Sequence, residues 1–280
     1  MIFAKKPRNL AVFGENMNIR SVPPQEQVSV FVCTVIKHYK AHGRNLPWRK
    51  NIAPYSIFVS EIMLQQTQVN RVLVKYPEFL KMYSDFQLLA QASLTEVLRL
   101  WQGMGYNRRA KYLHEAAQRI VSDHSGMLPQ EPTILETLPG VGSATAGSIA
   151  CFAYNKPTVF IETNIRRSIL FHFFPTRNNV TDREVGEIVE ACIHHLVQKK
   201  QLSFREWYWA IMDYGSYLKT VVENPNVRSK HYTKQSKFEG SDRQIRGKLL
   251  KEYLESGTAK LESARDKRIW RRLIEEGLVR

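Results

Sequence analysis

Cysteine is scarce in this sequence: the 280 residues contain three, and they lie far apart in apolar stretches. An odd number of isolated cysteines argues against a disulfide framework, and no pair has the short spacing typical of a zinc or iron–sulfur site. We therefore expect Cys33, Cys151 and Cys192 to be buried thiols in a protein of the reducing cell interior, the cytoplasm or the nucleoid.

Long apolar runs are also missing. The longest, residues 157–161 and 168–175, fall well short of the roughly 20 residues that a membrane-spanning helix needs. The N-terminus, Met-Ile-Phe-Ala-Lys-Lys-Pro-Arg-Asn, lacks the apolar core and the small-residue cleavage site of a secretory signal. The sequence thus predicts an intracellular protein without a membrane anchor.

Acidic residues are few relative to basic ones. The chain has 41 lysines and arginines against 26 aspartates and glutamates, which gives a formal net charge of +15. This excess favours binding to polyanions through counterion release, so nucleic acid is the expected partner. A basic protein with no nucleic-acid partner is the alternative that charge alone leaves open.

Strand patterns are absent apart from the short run 159–161, whereas apolar residues recur at helical spacing along most of the chain. Helices are predicted at about 28–42, 56–69, 71–82, 86–91, 94–103, 106–124, 133–137, 143–154, 162–173, 182–198, 204–219, 244–255 and 266–276. Residues 1–26 are predicted as a loose basic arm, 45–50 as a loop, and 223–243 as a basic surface connector. The fold class is all-α, and without a heptad seam we expect a monomer.

The most informative motif is Leu138-Pro139-Gly140-Val141-Gly142, which separates a short predicted helix from a longer one. Proline and glycine favour a tight hairpin, and glycines let backbone N–H groups approach a phosphate at a helix N-terminus. Such a hairpin would hold a DNA backbone without reading its sequence. An ordinary helix–turn–helix connection is the alternative.

Three motifs in this order resemble the helix-hairpin-helix glycosylase superfamily, which includes endonuclease III and MutY. The first is the hairpin followed by Glu162, Thr163 and Asn-Ile-Arg-Arg. The second, residues 59–69 (Val-Ser-Glu-Ile-Met-Leu-Gln-Gln-Thr-Gln-Val), matches the adenine glycosylase (MutY) pattern, and the third is residues 100–114, with Trp-Gln-Gly-Met-Gly-Tyr at its centre. The resemblance covers about residues 46–215.

The resemblance implies a helix-hairpin-helix DNA glycosylase fold at residues 27–222. A six-helix barrel subdomain would span about 52–160, and a second helical subdomain would combine about 27–51 with 161–222. Residues 223–280 would then form the connector and a small helical or winged-helix-like tail.

The same resemblance implies the catalytic residues. Glu61 matches the family's catalytic glutamate, and its apolar neighbours in sequence favour the protonated form that a general acid needs. Glu162 occupies the place of an essential aspartate, where a carboxylate can stabilise an oxocarbenium-like sugar. DNA contacts are expected from Arg49, Gln65, Gln66, Tyr106, Arg108, Leu138, Gly140, Val141, Gly142, Ser143, Thr145 and Asn164. An alkali metal ion at the carbonyl groups of Leu138 and Val141 is the one metal that the resemblance suggests, and no side chain is expected to bind a metal.

The sequence departs from the family pattern at four places. Glu162 replaces the aspartate, and Ala144 stands where bifunctional relatives have a lysine, so no Schiff base and no β-lyase activity are expected. No cysteine follows Gly215, where the family's four iron–sulfur ligands would lie; we expect no cluster, with DNA-backbone contacts instead from the connector cations Arg228, Lys230, His231, Lys234 and Lys237. We also expect no counterpart of the Nudix-like domain that recognises 8-oxoguanine in MutY proteins.

These observations predict a monofunctional DNA glycosylase of base excision repair without a cofactor. Its partner would be duplex DNA with a mispaired or damaged base, and the excised base would be adenine opposite 8-oxoguanine or guanine. The alternatives are a thymine or uracil mismatch glycosylase, a non-catalytic protein that binds duplex DNA, and RNA binding by the basic tail.

Overall fold

A computed structural model describes residues 23–200, 202–234 and 236–280. In these ranges the chain forms fourteen α-helices and one 3₁₀ turn, Pro225–Arg228, with no strand beyond an isolated bridge between Val180 and Ser229. The helices are α1 (Gln25–His42), α2 (Pro47–Lys50), α3 (Pro54–Leu64), α4 (Val69–Met82), α5 (Phe86–Gln91), α6 (Leu94–Trp101), α7 (Arg108–His124), α8 (Pro132–Leu135), α9 (Ser143–Tyr154), α10 (Thr163–Phe173), α11 (Asp182–Lys199), α12 (Phe204–Val221), α13 (Asp242–Ser256) and α14 (Ala264–Glu275). No helix in the described part of the chain is long and apolar enough to cross a membrane.

Local sequence explains where many of these helices begin. Four of them start with a capping box, in which a serine or threonine binds the third backbone N–H and the acidic residue there binds back. The boxes are Ser93 with Glu96, Thr181 with Glu184, Ser203 with Glu206, and Ser263 with Asp266. Proline opens α2, α3 and α8, where its missing N–H costs no hydrogen bond.

The helical prediction differs from the structure at three places. The predicted loop 45–50 contains the helical turn α2, which Pro47 initiates. The helix predicted at 56–69 ends at Leu64, because Gln66 adopts a left-handed backbone conformation with φ 52°. Residues 1–22 of the predicted arm lie outside the described residues, and α1 begins at Gln25, so the last two residues of the predicted arm, 25–26, are helical.

The described chain divides into two units, and the first comprises residues 23–45 and 150–233. Helices α1, α10, α11 and α12 pack together around the buried ring of Phe31. Its ring centroid lies 5.2 Å from that of Phe173 and 6.1 Å from that of Trp207, both edge-on. Buried Asp213 accepts hydrogen bonds from the backbone N–H and the guanidinium of Arg44, so this acid is satisfied inside the unit.

The second unit comprises residues 46–149 and 234–280. Helices α3, α5 and α6 pack on α7, and α4 packs on α3 and α6. The largest fully buried side chains here include Phe58, Phe79, Leu89 and Trp101. The boundary between the units falls within α9, after Ile149.

The C-terminal region has the two helices predicted for the tail but differs from the predicted connector. Residues 225–230 lie only partly at the surface: Pro225, Asn226 and Ser229 are buried in the first unit, whereas Val227 and Lys230 are exposed. Residues 234–280 group with the second unit, where α13 packs on α6 and α14. Residues 236–280 contain these two helices and no strand, so the wing of a winged-helix module does not form there.

Candidate active site

Glu61 lies on α3, a helix with a largely buried surface, in the second unit. The hydroxyl of Ser148, on α9 and 5 % exposed, donates a hydrogen bond to Oε2 of Glu61 at an O···O distance of 2.5 Å. Ser148 Oγ also lies 3.0 Å from the carbonyl oxygen of Thr145. One hydroxyl proton thus faces two acceptors, and the shorter contact has the length typical of a hydrogen bond to a carboxylate.

The hairpin packs beside the C-terminus of α3. Nε2 of Gln65 donates to the carbonyl oxygen of Gly140 at 3.1 Å and to Oγ1 of Thr145 at 3.2 Å. Gly140 has φ 77°, and a Cβ atom there would lie 2.8 Å from Cβ of Tyr112, so the turn requires glycine. Gln65 therefore ties the helix of Glu61 to the hairpin.

The predicted hairpin residues divide into a buried and an exposed set. Leu138 and Val141 are buried, so they anchor the hairpin and can meet a ligand only through their backbone. The exposed set is Gly140, Gly142, Ser143 and Ala144. The carbonyl oxygen of Leu138 accepts the N–H of Val141 at 3.1 Å, and the alkali-ion site at these carbonyls stays a prediction.

Arg109 connects the end of α3 to the loop before α7. Its guanidinium is buried and donates to the carbonyl oxygens of Ile62 and Met63, both at 2.8 Å. It also donates to Oγ1 of Thr67 at 2.7 Å and to the Gly105 carbonyl oxygen at 3.1 Å. Burial lowers the pKa of Arg109 to about 10, which leaves it charged at neutral pH. These bonds satisfy backbone acceptors where α3 ends.

Gln66 and Tyr106 are exposed side chains on left-handed backbone, with φ 52° and 48°. The hydroxyl of Tyr106 accepts a hydrogen bond from Arg243 of α13 at 3.1 Å. Arg108, predicted to contact DNA, instead forms an ion pair with Glu276, although half of its side chain remains exposed. Glu276 is also paired with Arg246, so Arg108 belongs to a cluster of charges around the end of α14.

Glu162 lies in the first unit and caps the N-terminus of α10. Its Oε1 accepts the backbone N–H groups of Asn164 at 2.8 Å and Ile165 at 2.9 Å, and its Oε2 accepts the Asn164 side-chain amide at 3.2 Å. Burial raises the pKa of Glu162 above the ordinary 4.5. The two backbone hydrogen bonds and the nearby arginines, Arg167 and Arg166, oppose this rise only in part.

Close packing fixes the start of α10. A Cβ atom on Gly215 would lie 2.1 Å from the carbonyl oxygen of Asn164, so α12 can approach α10 only with glycine there. Arg167 donates to the Gly215 carbonyl at 2.8 Å and to Oδ1 of Asn164 at 2.7 Å. The amide of Asn226 donates to the Thr163 carbonyl oxygen at 3.1 Å. The first residues of α10, next to Glu162, are therefore held by α12 through Gly215 and by the 3₁₀ turn through Asn226.

The cations of the predicted connector, like the hairpin residues, divide into a part-buried and an exposed set. Arg228, expected to contact DNA, is part-buried and donates to the carbonyl oxygen of Pro175, which makes it a structural residue of the first unit. Lys230, His231, Lys234 and Lys237 are exposed. Of the remaining predicted contacts, Arg49 is half-buried in α2, and Asn164 is engaged by Glu162 and Arg167.

Residues 59–194 match the model of the HhH-GPD superfamily base excision DNA repair proteins. An adenine DNA glycosylase of Mycobacterium tuberculosis is 33 % identical over 234 residues, which cover 76 % of this chain and 74 % of the relative. The chain belongs to the HhH-GPD superfamily. It is a DNA glycosylase of base excision repair, and its all-helical architecture is that of the superfamily.

Solved structures agree with this HhH-GPD fold. A thermostable thymine-DNA glycosylase aligns with a TM-score of 0.59 and 25 % identity over 68 % of this chain and 87 % of that chain. An endonuclease III in a non-covalent DNA complex aligns with a TM-score of 0.53 over 69 % of this chain and 85 % of that chain. At 16 % identity the second likeness shows the fold alone.

The cysteines of this HhH-GPD protein do not fit a four-cysteine iron–sulfur cluster. The whole chain has three, and such a cluster needs four thiolates. Cys151 and Cys192 are buried as predicted, whereas the prediction was wrong for Cys33, which is exposed on α1. Burial raises the pKa of the Cys192 thiol, which disfavours the thiolate. After Gly215, α12 continues to Val221. Within the described ranges no three His, Cys, Asp or Glu side chains cluster as a metal site.

Two residues of the site were missed in the sequence. Ser148 lies 87 positions from Glu61, and no spacing rule connects them. Arg109 was passed over for its neighbour Arg108, although the helical period of α7 places Arg109 with the buried residues Ala110, Leu113 and Ala117. That period was the available signal for Arg109, whereas none existed for Ser148.

Proposed function

We propose that this glycosylase is monofunctional and removes adenine mispaired with 8-oxoguanine or guanine by hydrolysis. The observation on which this rests is the Glu61–Ser148 pair, a carboxyl group on a largely buried helix next to the hairpin. The M. tuberculosis relative named adenine DNA glycosylase, with 33 % identity, supports the choice of base.

Glu61 is the proposed general acid. It donates a proton to a ring nitrogen of the flipped purine, and the C1′–N9 bond then breaks with its electron pair leaving on the neutral base. The contact with Ser148 holds one carboxyl oxygen, so the other can be presented to the base. When Glu61 is protonated, the proton lies on this other oxygen, and the Ser148 hydroxyl can turn its hydrogen bond to the Thr145 carbonyl oxygen.

Glu162 is the proposed second carboxylate. Its negative charge stabilises the oxocarbenium-like sugar, to which water then adds. The cap contacts fix Oε1 through two backbone N–H groups, and this fixes the orientation of the whole carboxylate. A charged group that burial disfavours interacts more strongly with a developing positive charge than a fully hydrated one would.

The absence of lyase activity is part of the proposal. Ala144, exposed at the second position of α9, has no amine that could form a Schiff base with the sugar. Strand cleavage would then require alkali after base release. We likewise propose that the enzyme works without an iron–sulfur cluster and acts as a monomer.

Removal of thymine or uracil from mispairs with guanine is the second candidate. The likeness to a thymine-DNA glycosylase, at 25 % identity and a TM-score of 0.59, is the observation that favours it. A pyrimidine offers no N7 to protonate, so this reaction would depend less on Glu61 and more on Glu162.

Base release from four labelled duplexes tests these proposals. The duplexes contain adenine opposite 8-oxoguanine, adenine opposite guanine, thymine opposite guanine, and uracil opposite guanine, and strand breaks are read before and after alkali. Breaks only after alkali in the adenine duplexes are expected. Release of thymine or uracil alone would refute the choice of base, and breaks without alkali would refute the monofunctional mechanism.

A further inference from the structure

A cavity of about 1090 Å³ lies within the second unit, beside the loop that contains Tyr106. One wall is formed by the segment after α3, the start of α4 and residues 102–107. The other wall is α13 with Ser236 and Phe238. We call this space the α13 cavity.

The α13 cavity is strongly basic. Six cations line it and no carboxylate does: Arg71, Lys75, Arg243, Arg246, Lys248 and Lys251. Arg246 is paired with Glu276. The ion pairs of Lys248 with Glu252 and of Lys251 with Glu255 are long, at 3.8 and 3.7 Å, and the lysine side chains are more than 60 % exposed. Such pairs are weak, so these lysines can exchange their partners for a stronger anion.

Aromatic side chains accompany these cations. Phe238 is 60 % exposed and Tyr106 is 36 % exposed, and both line the cavity. Cations interleaved with exposed aromatic rings suit a nucleic-acid strand, whose phosphates take the charges and whose unstacked base takes a ring.

The neighbouring residues Gln65 and Gln66 indicate which of the two strands of a DNA duplex would lie at the α13 cavity. Gln65 is bonded to the hairpin, on the side of Glu61 and Ser148, whereas Gln66 lines the cavity. The left-handed backbone at Gln66 turns the chain between them. A duplex whose target strand follows the hairpin would therefore place its other strand at the cavity.

We propose that the α13 cavity binds the DNA strand opposite the excised base. Lys248 and Lys251 contact its phosphates, and Phe238 stacks on the base left without a partner. Arg243 holds the Tyr106 hydroxyl at 3.1 Å and so keeps this wall in place. The inference depends on DNA binding by this glycosylase and not on which base it removes.

The test uses the full chain and a duplex with a tetrahydrofuran abasic site opposite guanine, which has no base to release. Lys248→Gln/Lys251→Gln is compared with Lys37→Gln/Lys40→Gln, a pair of exposed lysines on α1 that removes the same charge. Two lost phosphate contacts should reduce the slope of log K against log salt by about 2. The α1 control should leave the slope unchanged.

Two further measurements separate this site from general attraction by charge. Hydroxyl-radical protection, read on each strand, should be lost in the Lys248/Lys251 variant on the guanine strand and retained on the abasic strand. Phe238→Ala should weaken binding about tenfold, whereas Tyr232→Ala, at an exposed aromatic outside the cavity, should not.

Equal slopes for the two lysine pairs, or loss of protection on the abasic strand alone, would overturn the proposal. Because no base is released in these experiments, their failure would leave the proposed adenine activity standing. Conversely, absence of adenine release would not affect them.

Discussion

Replacing Ser148 by alanine should change the pH dependence of base release as well as its rate. The hydroxyl of Ser148, a residue that is 5 % exposed, donates to the partly buried Glu61 at 2.5 Å. A hydrogen bond to a charged group contributes about 1.5–3 kcal/mol. Its loss disfavours the ionised form of Glu61 relative to the protonated form that acts as the acid.

The expected effect follows from this difference. About 1.4 kcal/mol corresponds to one pH unit. In Ser148→Ala the alkaline limb of the profile of base-release rate against pH should therefore shift to higher pH by about one unit. The plateau should fall by about tenfold, because the carboxyl group loses a contact that orients it. Ser148→Thr keeps a hydroxyl and should restore the limb.

Single-turnover base release from the adenine:8-oxoguanine duplex, measured across pH, is the assay. Ser60→Ala is the matched control, because Ser60 is fully buried on α3 beside Glu61 and its hydroxyl donates to the Ile57 carbonyl. If Ser148→Ala lowered the plateau of the rate but left the alkaline limb of the pH–rate profile at the wild-type pH, Ser148 would contribute only packing and would not affect the ionisation of Glu61.

Three further predictions follow from the site. Glu61→Gln should reduce adenine release by about 10²–10⁴ while duplex affinity changes little, and release within tenfold of wild type would exclude Glu61 as the acid. Glu162→Gln should nearly abolish release without loss of stability. Because the folded pKa of Glu162 is raised, wild-type stability should decline relative to this variant as pH rises from 4.5 through the folded pKa, in paired thermal unfolding curves; parallel curves would contradict the raised pKa. Arg109→Lys should lower the free energy of unfolding by about 3 kcal/mol in urea, since one amine cannot replace a guanidinium that serves four acceptors, whereas exposed Arg108→Lys should cost less than about 1 kcal/mol.

The C-terminal region shows where sequence reasoning stopped. Its composition is polar and basic, which predicted a surface connector, but Asn226 and Ser229 are buried. Their burial depends on the bridge to Val180, 49 residues earlier, and on the carbonyl of Thr163. A polar residue can be buried wherever partners satisfy it, and those partners lie outside any local window.

Helix positions, the hairpin and the family could be derived from the sequence, because each depends on local rules. A helix buries one face at a period of 3.6 residues, capping boxes span four residues, and the hairpin needs glycine at Gly140. Only the tertiary structure decided that Ser148 meets Glu61, that Arg109 rather than Arg108 supports the end of α3, and that α13 adds a basic wall beside Tyr106. These contacts join residues 46 to 137 positions apart, and packing of the helices, rather than any short-range pattern, brings them together.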